Sequence, residues 1–232
     1  DLLKPQDRTR LRFQEDGSEL DLDVALRALL DWRAGAQPES RIHQRTRTDG
    51  RDIAVLLLMD LSRSVEDLVA GSEDTVLSLS RAAVALLAEA IAALGDRFAV
   101  IGFHSNTRHE VRLLHVKGFG EAWDAGPKAR LAAVQGAYST RMGAALRHAG
   151  HLLSGRAADK RLLLVLTDGQ PADVDVQDPQ HLVDDAAQAV RELDRLGLYT
   201  HCVSLDPKAD AYVGTVFGAR WTVVDRVAQL PR

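Results

Sequence analysis

The sequence is poor in cysteine, has no excess of positive charge and holds no long uninterrupted apolar stretch, and each shortage removes a class of protein. A single cysteine, Cys202, permits no internal disulfide and fits a reducing cytosol. Against 29 Lys and Arg stand 33 Asp and Glu, a net charge of -4, so nothing draws the chain globally to nucleic acid or to an anionic membrane. The apolar helical stretch from Ala82 to Leu94 is interrupted by Glu89, and the chain begins at Asp1 with neither Met nor a signal peptide. The expectation is an excised piece of a longer cytoplasmic protein, neither exported nor inserted in a membrane. Nucleotide-binding and serine-hydrolase signatures are missing too, with no GxxxxGK[ST], GxGxxG or GxSxG. No internal repeat or low-complexity segment occurs.

What is present is core-forming material. With 232 residues and 46% hydrophobic content the chain can bury one α/β domain, leaving a short N-terminal appendage over residues 1–50. In the appendage, Leu20 to Arg33 has apolar residues at Leu22, Leu26, Leu29 and Leu30 and reads as an amphipathic helix stopped near Gly35 and Pro38. The following RIHQRTRTDGR carries Arg41, Arg45, Arg47 and Arg51 and reads as an edge strand leading into the main sheet, or as a basic contact strip. It lacks interleaved aromatics, which speaks against nucleic-acid binding.

From residue 51 onward the pattern is that of a three-layer, doubly wound α/β fold with a mostly parallel sheet. Ile53 to Met59 is an apolar run too short for a bilayer and suited to a strand buried on both faces. A long helix starting at Asp74 or Thr75 runs to Leu94, and Phe98 to Phe103 is a second buried strand. Val111 to Val116 reads as its neighbour across the polar turn SNTRHE, followed by helices over Pro127 to Val134 and Arg141 to Leu153. Arg161 to Thr167 is a third buried strand; His181 to Leu196 is a helix, Tyr199 to Leu205 a strand, Asp210 to Phe217 a short helix and Trp221 to Val224 a last strand. Strands alternating with helices indicate parallel βαβ units with right-handed crossovers.

Two of the apolar strands end in an acid. Asp60 closes the first and is followed at alternate positions by Ser62 and Ser64; Asp168, then Gly169, closes the RLLLVLT strand. Open α/β sheets bind ligands at the carboxyl ends of their strands, and helix starts lie on that same edge, where Thr140 in YSTRMGAALRHA falls. Asp60, Ser62, Ser64, Thr140 and Asp168 therefore converge as an oxygen-only donor set suited to a hard cation, Mg²⁺ or Mn²⁺. Two carboxylates balance a divalent ion and the hydroxyls add no charge, which leaves the ion electrophilic toward a further carboxylate from a partner. Taken singly, each residue has a structural reading: loop cap for Asp60, hydroxyl turns for the serines, helix cap for Thr140, turn for Asp168 and Gly169. Together, closely grouped carboxylates without a cation would repel.

These residues resemble the metal-ion-dependent adhesion site of the von Willebrand factor A domain. DLSRS at 60–64 matches its DxSxS, Thr140 its separate threonine and Asp168 in VLTDG its final aspartate, and the likeness spans about residues 50–230. A narrower resemblance joins GSELDLDVALRALLDWRAG, STRMGAALRHAG, PADVDVQDPQ and CVSLDPKADAYVGTVFGARWTVVD to the C-terminal region of the CbbO and NorD adaptors, with STRMGAALRHAG and PADVDVQDPQ closer to the CbbO type. The resemblance implies a non-catalytic adaptor working with a ring-forming, CbbQ-like AAA+ ATPase of the MoxR class. It also implies that the ion engages an acidic residue on the client, which on the CbbO-like phrases is expected to be inhibited Rubisco, with nitric oxide reductase, the client of the NorD branch, as the alternative.

An Mg²⁺-dependent phosphoryl-transfer enzyme is the rival of another class, but such enzymes commonly add a further acid and a lysine where this loop has serines. His148 and His151, three apart on one helix, lack an acidic companion and read as surface or packing residues, and His104, His109 and His115 as surface residues. Cys202 reads as a small buried residue in its strand. The acid-rich stretch from Asp173 to Asp185 reads as solvated near the edge of the site, in a position to gate or orient a client.

Overall fold

The computed structural model describes residues 8–14, 19–20, 43–48, 52–69, 73–205 and 212–224. The chain divides into two compact units, one up to Arg51 and one from Asp52 onward. In the first, β1 (Arg8–Gln14), β2 (Glu19–Leu20) and β3 (His43–Thr48) form a small antiparallel sheet with β3 in the middle. Within the basic stretch, His43–Thr48 is thus the central strand of a separate sheet rather than an edge strand of the main one. Its period-two pattern finds partners in its own unit, since RTRLRFQ has the same alternation. The helix expected from Leu20 to Arg33 falls on residues 21–42, outside the described residues, except for Leu20, which belongs to β2.

The second unit is built on six strands in the order β6-β5-β4-β7-β8-β9. These are β4 (Ile53–Asp60), β5 (Arg97–Ser105), β6 (Val111–Lys117), β7 (Lys160–Thr167), β8 (Tyr199–Ser204) and β9 (Trp221–Val223). All pairings are parallel except that of β6, which runs antiparallel to β5 along one edge. Every residue of β4 is buried, as expected of a central strand covered on both faces. The helices α1 (Val76–Ala93), α2 (Ala125–Ala133), α3 (Met142–Ser154), α4 (Pro179–Arg195) and α5 (Val213–Phe217) supply that cover. Side chains of β4 alternate between two cores: Leu56 and Leu58 pack with α3, α4 and α5, whereas Val55, Leu57 and Met59 pack with α1. Truncating a residue such as Leu58 to Ala costs about 2–5 kcal/mol in such a place.

The chain leaves β4 toward β5 on one side and returns to β7 on the other, so the strand order reverses at β4. Local signals set the helix ends. Thr75 caps α1 by accepting from Ser78 N at 3.1 Å, and Gly95, at φ 75°, ends it in the left-handed conformation. Asp178 caps α4, with Pro179 in the first turn, so α4 starts two residues before the expected His181. By length and composition α1 could cross a bilayer; here it lies on the sheet with Leu77, Val84, Ala88 and Ile91 buried. α3 and α4 lie so close that a Cβ on Gly150 would come within 2.1 Å of Leu193 Cδ2, and one on Gly143 within 3.1 Å of the Asp185 backbone. At the edge, the β5–β6 register shifts between Val100 and Ile101, leaving Val116 of β6 as the extra residue beside Lys117, whose buried Nζ donates to the carbonyls of Phe98 at 2.6 Å and Gly118 at 3.0 Å.

Candidate metal centre

Asp60 is the last residue of β4 and is buried at the reversal point. After it the chain turns outward: Leu61 N donates to Phe103 O at 2.8 Å, and Arg63–Glu66 form one 3₁₀ turn. That turn places Ser62 and Ser64 side by side, their hydroxyls 3.0 Å apart, Ser62 buried and Ser64 exposed. Asp60 Oδ1 accepts from Ser62 N at 2.8 Å, so the carboxylate does hold its own loop in addition to facing the site.

Thr140 reaches Asp60 across 80 positions of sequence, its hydroxyl 3.4 Å from each carboxylate oxygen. It is not the helix cap that its place suggested; Arg141 takes that position, and Thr140 sits in a bridge with Ala172, its N–H donating to Ala172 O at 2.8 Å. The segment before it is zipped to the loop after Asp60. Ala137 N donates to Leu61 O, Arg63 N to Tyr138 O, and Gly136 N to Glu66 Oε1 at 2.7 Å. Asp168 follows β7 directly and is half-buried, near enough for its charge to act on Asp60. Burial first, and the charge of Asp168 second, push the Asp60 carboxyl up to about 7, against hydrogen bonds from Ser62 and Thr167 that favour the ionised form.

Thr167 carries no sequence signal of a part in the site. Its buried hydroxyl donates to Asp60 Oδ2 at 3.0 Å, because β7 runs in register beside β4 and brings its last residue level with Asp60. His104 is buried rather than at the surface, since β5 is interior along most of its length; its ring lies 5.3 Å from that of Tyr138. Asp173 is buried rather than solvated: it accepts from Ser105 Oγ at 2.8 Å, Thr107 N at 3.2 Å and Arg141 Nε at 2.9 Å. Nothing in its acid-rich neighbourhood announces three donors from distant loops. His109, His115, His148 and His151 are exposed, and Cys202 is buried, with burial holding its thiol far above the ordinary range.

The arrangement fits a hard divalent cation. Among the described residues no three His, Cys, Asp or Glu side chains gather in one cluster. The site instead joins two carboxylates to hydroxyls, and among the described residues no guanidinium or ammonium contributes to the shift of Asp60. A buried carboxylate repelled by a second one, with only neutral donors around it, is stabilised by a cation placed between them. Beside the Ser62–Ser64 turn lies a groove of about 700 Å³ lined in part by Arg63, Asn106, Tyr138 and Val174, with Tyr138 and Val174 exposed.

Residues 54–211 match the family described as von Willebrand factor type A domain. The chain is 38% identical over 232 residues to Protein NorD of Brucella abortus (strain 2308), covering 100% of this chain and 36% of that protein. It therefore spans about a third of the length of the curated relatives it matches. Among solved structures, the PilB minor pilin of Streptococcus sanguinis superposes with a TM-score of 0.60 at 14% identity, over 82% of this chain and 61% of the pilin. The manganese-loaded TRAP protein of Plasmodium vivax does so with a TM-score of 0.54 at 13% identity, over 75% of this chain and 69% of TRAP. At such identities the likeness is one of fold.

Proposed function

Because the chain belongs to the von Willebrand factor type A domain family, we propose that it is a non-catalytic, ion-dependent protein-binding module of an adaptor. Asp60, Ser62, Ser64, Thr140 and Asp168 would hold Mg²⁺ or Mn²⁺. The ion, when bound, supplies an electrophilic point for a carboxylate of the client protein. The observation that carries this reading is the Asp60 carboxylate, raised first by burial and then by Asp168, and surrounded by hydroxyls with no basic partner among the described residues. The fold it shares with a manganese-loaded structure is consistent with it.

The chain's own residues divide the work. Asp60 and Asp168 bring two negative charges, enough to balance a divalent ion and leave it able to take another anion. Ser62, Ser64 and Thr140 complete the donor set without added charge, and Thr167 and Ser62 N orient Asp60. The partner expected for the whole adaptor is a MoxR-class AAA+ ATPase, a separate chain that supplies the mechanical work. Similarity to NorD over the full chain supports nitric oxide reductase as the client. A second reading, inhibited Rubisco, rests on the CbbO-like STRMGAALRHAG and PADVDVQDPQ.

The full-length adaptor, combined with its ATPase, tests both readings when wild type is compared with Asp60→Ala and Ser62→Ala in a Rubisco reactivation assay and a nitric oxide reductase maturation assay. Loss of one activity in both variants, with folding and ATPase assembly intact, is the expected result and names the client. Full activity in the variants overturns the ion's role.

A further inference from the structure

Thr140 is the donor of the site that comes from neither strand end, so something must fix its distance from Asp60. Its own backbone bonds face two ways: Ser139 exchanges N–H···O bonds with Ser105 at 2.8 and 2.9 Å, and Thr140 exchanges them with Ala172 at 2.8 and 3.2 Å. Side chains lock this crossing. Ser105 Oγ accepts from Arg141 N at 3.1 Å and donates to Asp173 Oδ2 at 2.8 Å, while Arg141 Nε donates to the same Oδ2 at 2.9 Å. The Asp173 side chain is fully buried and that of Arg141 is 15% exposed, so this pair is shielded from water and from salt. The other arm of the Arg141 guanidinium holds Asp175, which Arg108 also holds through its N–H and Nε at 3.0 Å.

We propose that Asp173 is a positioning residue of the ion site: through Arg141 and Ser105 it holds Thr140 at its distance from Asp60, and thereby sets the affinity for the divalent ion. The inference rests on the ion-binding reading above. Three loops meet at one carboxylate, the end of β5 at Ser105, the entry to α3 at Arg141 and the loop after Asp168. Removing its charge leaves a buried guanidinium with one partner fewer and loosens both residues that flank Thr140. The hydrogen-bond partners of Asp173 are Ser105, Thr107 and Arg141 and include none of the five proposed ligands, so its influence passes through Thr140.

The test is a double-mutant cycle on Mn²⁺ affinity, measured by titration of the 232-residue chain, with Thr140→Ala, Asp173→Asn and the two combined. Asp173→Asn is expected to weaken Mn²⁺ binding by about tenfold, the size typical of a partner that orients a metal ligand. If Asp173 acts through Thr140, the combined variant binds within about twofold of Thr140→Ala alone. Arg141→Gln in the same cycle replaces Asp173→Asn should that variant fail to fold. Losses that add in the combined variant, or a folded Asp173→Asn with wild-type affinity, overturn the positioning role alone. A wild type that takes up no Mn²⁺ overturns the ion site and this inference with it.

Discussion

At Asp60 the folded chain holds a carboxyl that would rather stay protonated. Its pKa of about 7 folded, against 3.8 for an ordinary aspartate, means the folded state binds more protons than the unfolded state between those values. The sign follows: without a divalent ion, stability is greatest below pH 4 as far as this group is concerned and falls as pH rises to 7, by at most roughly 4 kcal/mol. Urea unfolding in EDTA across pH 5–8 should show this decline, Mg²⁺ should reverse it, and Asp60→Asn should flatten it and abolish the response to Mg²⁺. A wild-type profile insensitive to Mg²⁺ at pH 8 would count against the site. Cys202 gives a second expectation: buried and with a raised pKa, it should stay unmodified by thiol reagents in the folded chain and react on unfolding. Asp60 and Asp168 were legible in the sequence because an acid that ends an apolar run has no packing reason to be there. Thr167, Ser105 and Asp173 were not, because their roles depend on which residue stands opposite, across 107 positions in one case and 68 in another.

Among elements, the strands were the most readable. IAVLLLM, FAVIGF and RLLLVLT are buried runs whose ends coincide with β4, β5 and β7 to within a residue or two. Helix starts were less so, as with α4, whose cap at Asp178 lies within the stretch that reads as solvated acid. In the small three-stranded sheet the β3 stretch reads as a strand from sequence, but its partners do not: β1 pairs with it from far back in the chain, Arg8 against Thr48, and β2 is two residues long. The contact of α3 with α4 makes its own prediction. Gly143→Ala places a methyl 3.1 Å from the Asp185 backbone and against its carboxylate, so it should lower stability by about 1–3 kcal/mol. Because α3 begins two residues after Thr140, Mn²⁺ affinity measured on the same variant should fall with it. An unchanged denaturation midpoint would show that the helices separate easily there.

For the whole molecule, every proposed ligand and every member of the Asp173 clasp lies in the unit from Asp52 onward. That unit, expressed as residues 52–232, is therefore expected to fold and to bind Mn²⁺ within about threefold of the full chain; calorimetric titration of the two side by side decides it, and a shortened chain that folds but has lost the ion would give the first unit a share in the site. Lys117 points its ammonium inward onto two carbonyls beside a bulge, which ties β6 to a single register. Sliding β6 would strand a buried charge, and a bulged edge that carries an inward lysine is a poor template for a foreign strand. The β6 edge of the main sheet is thereby guarded against taking up a strand from a second molecule.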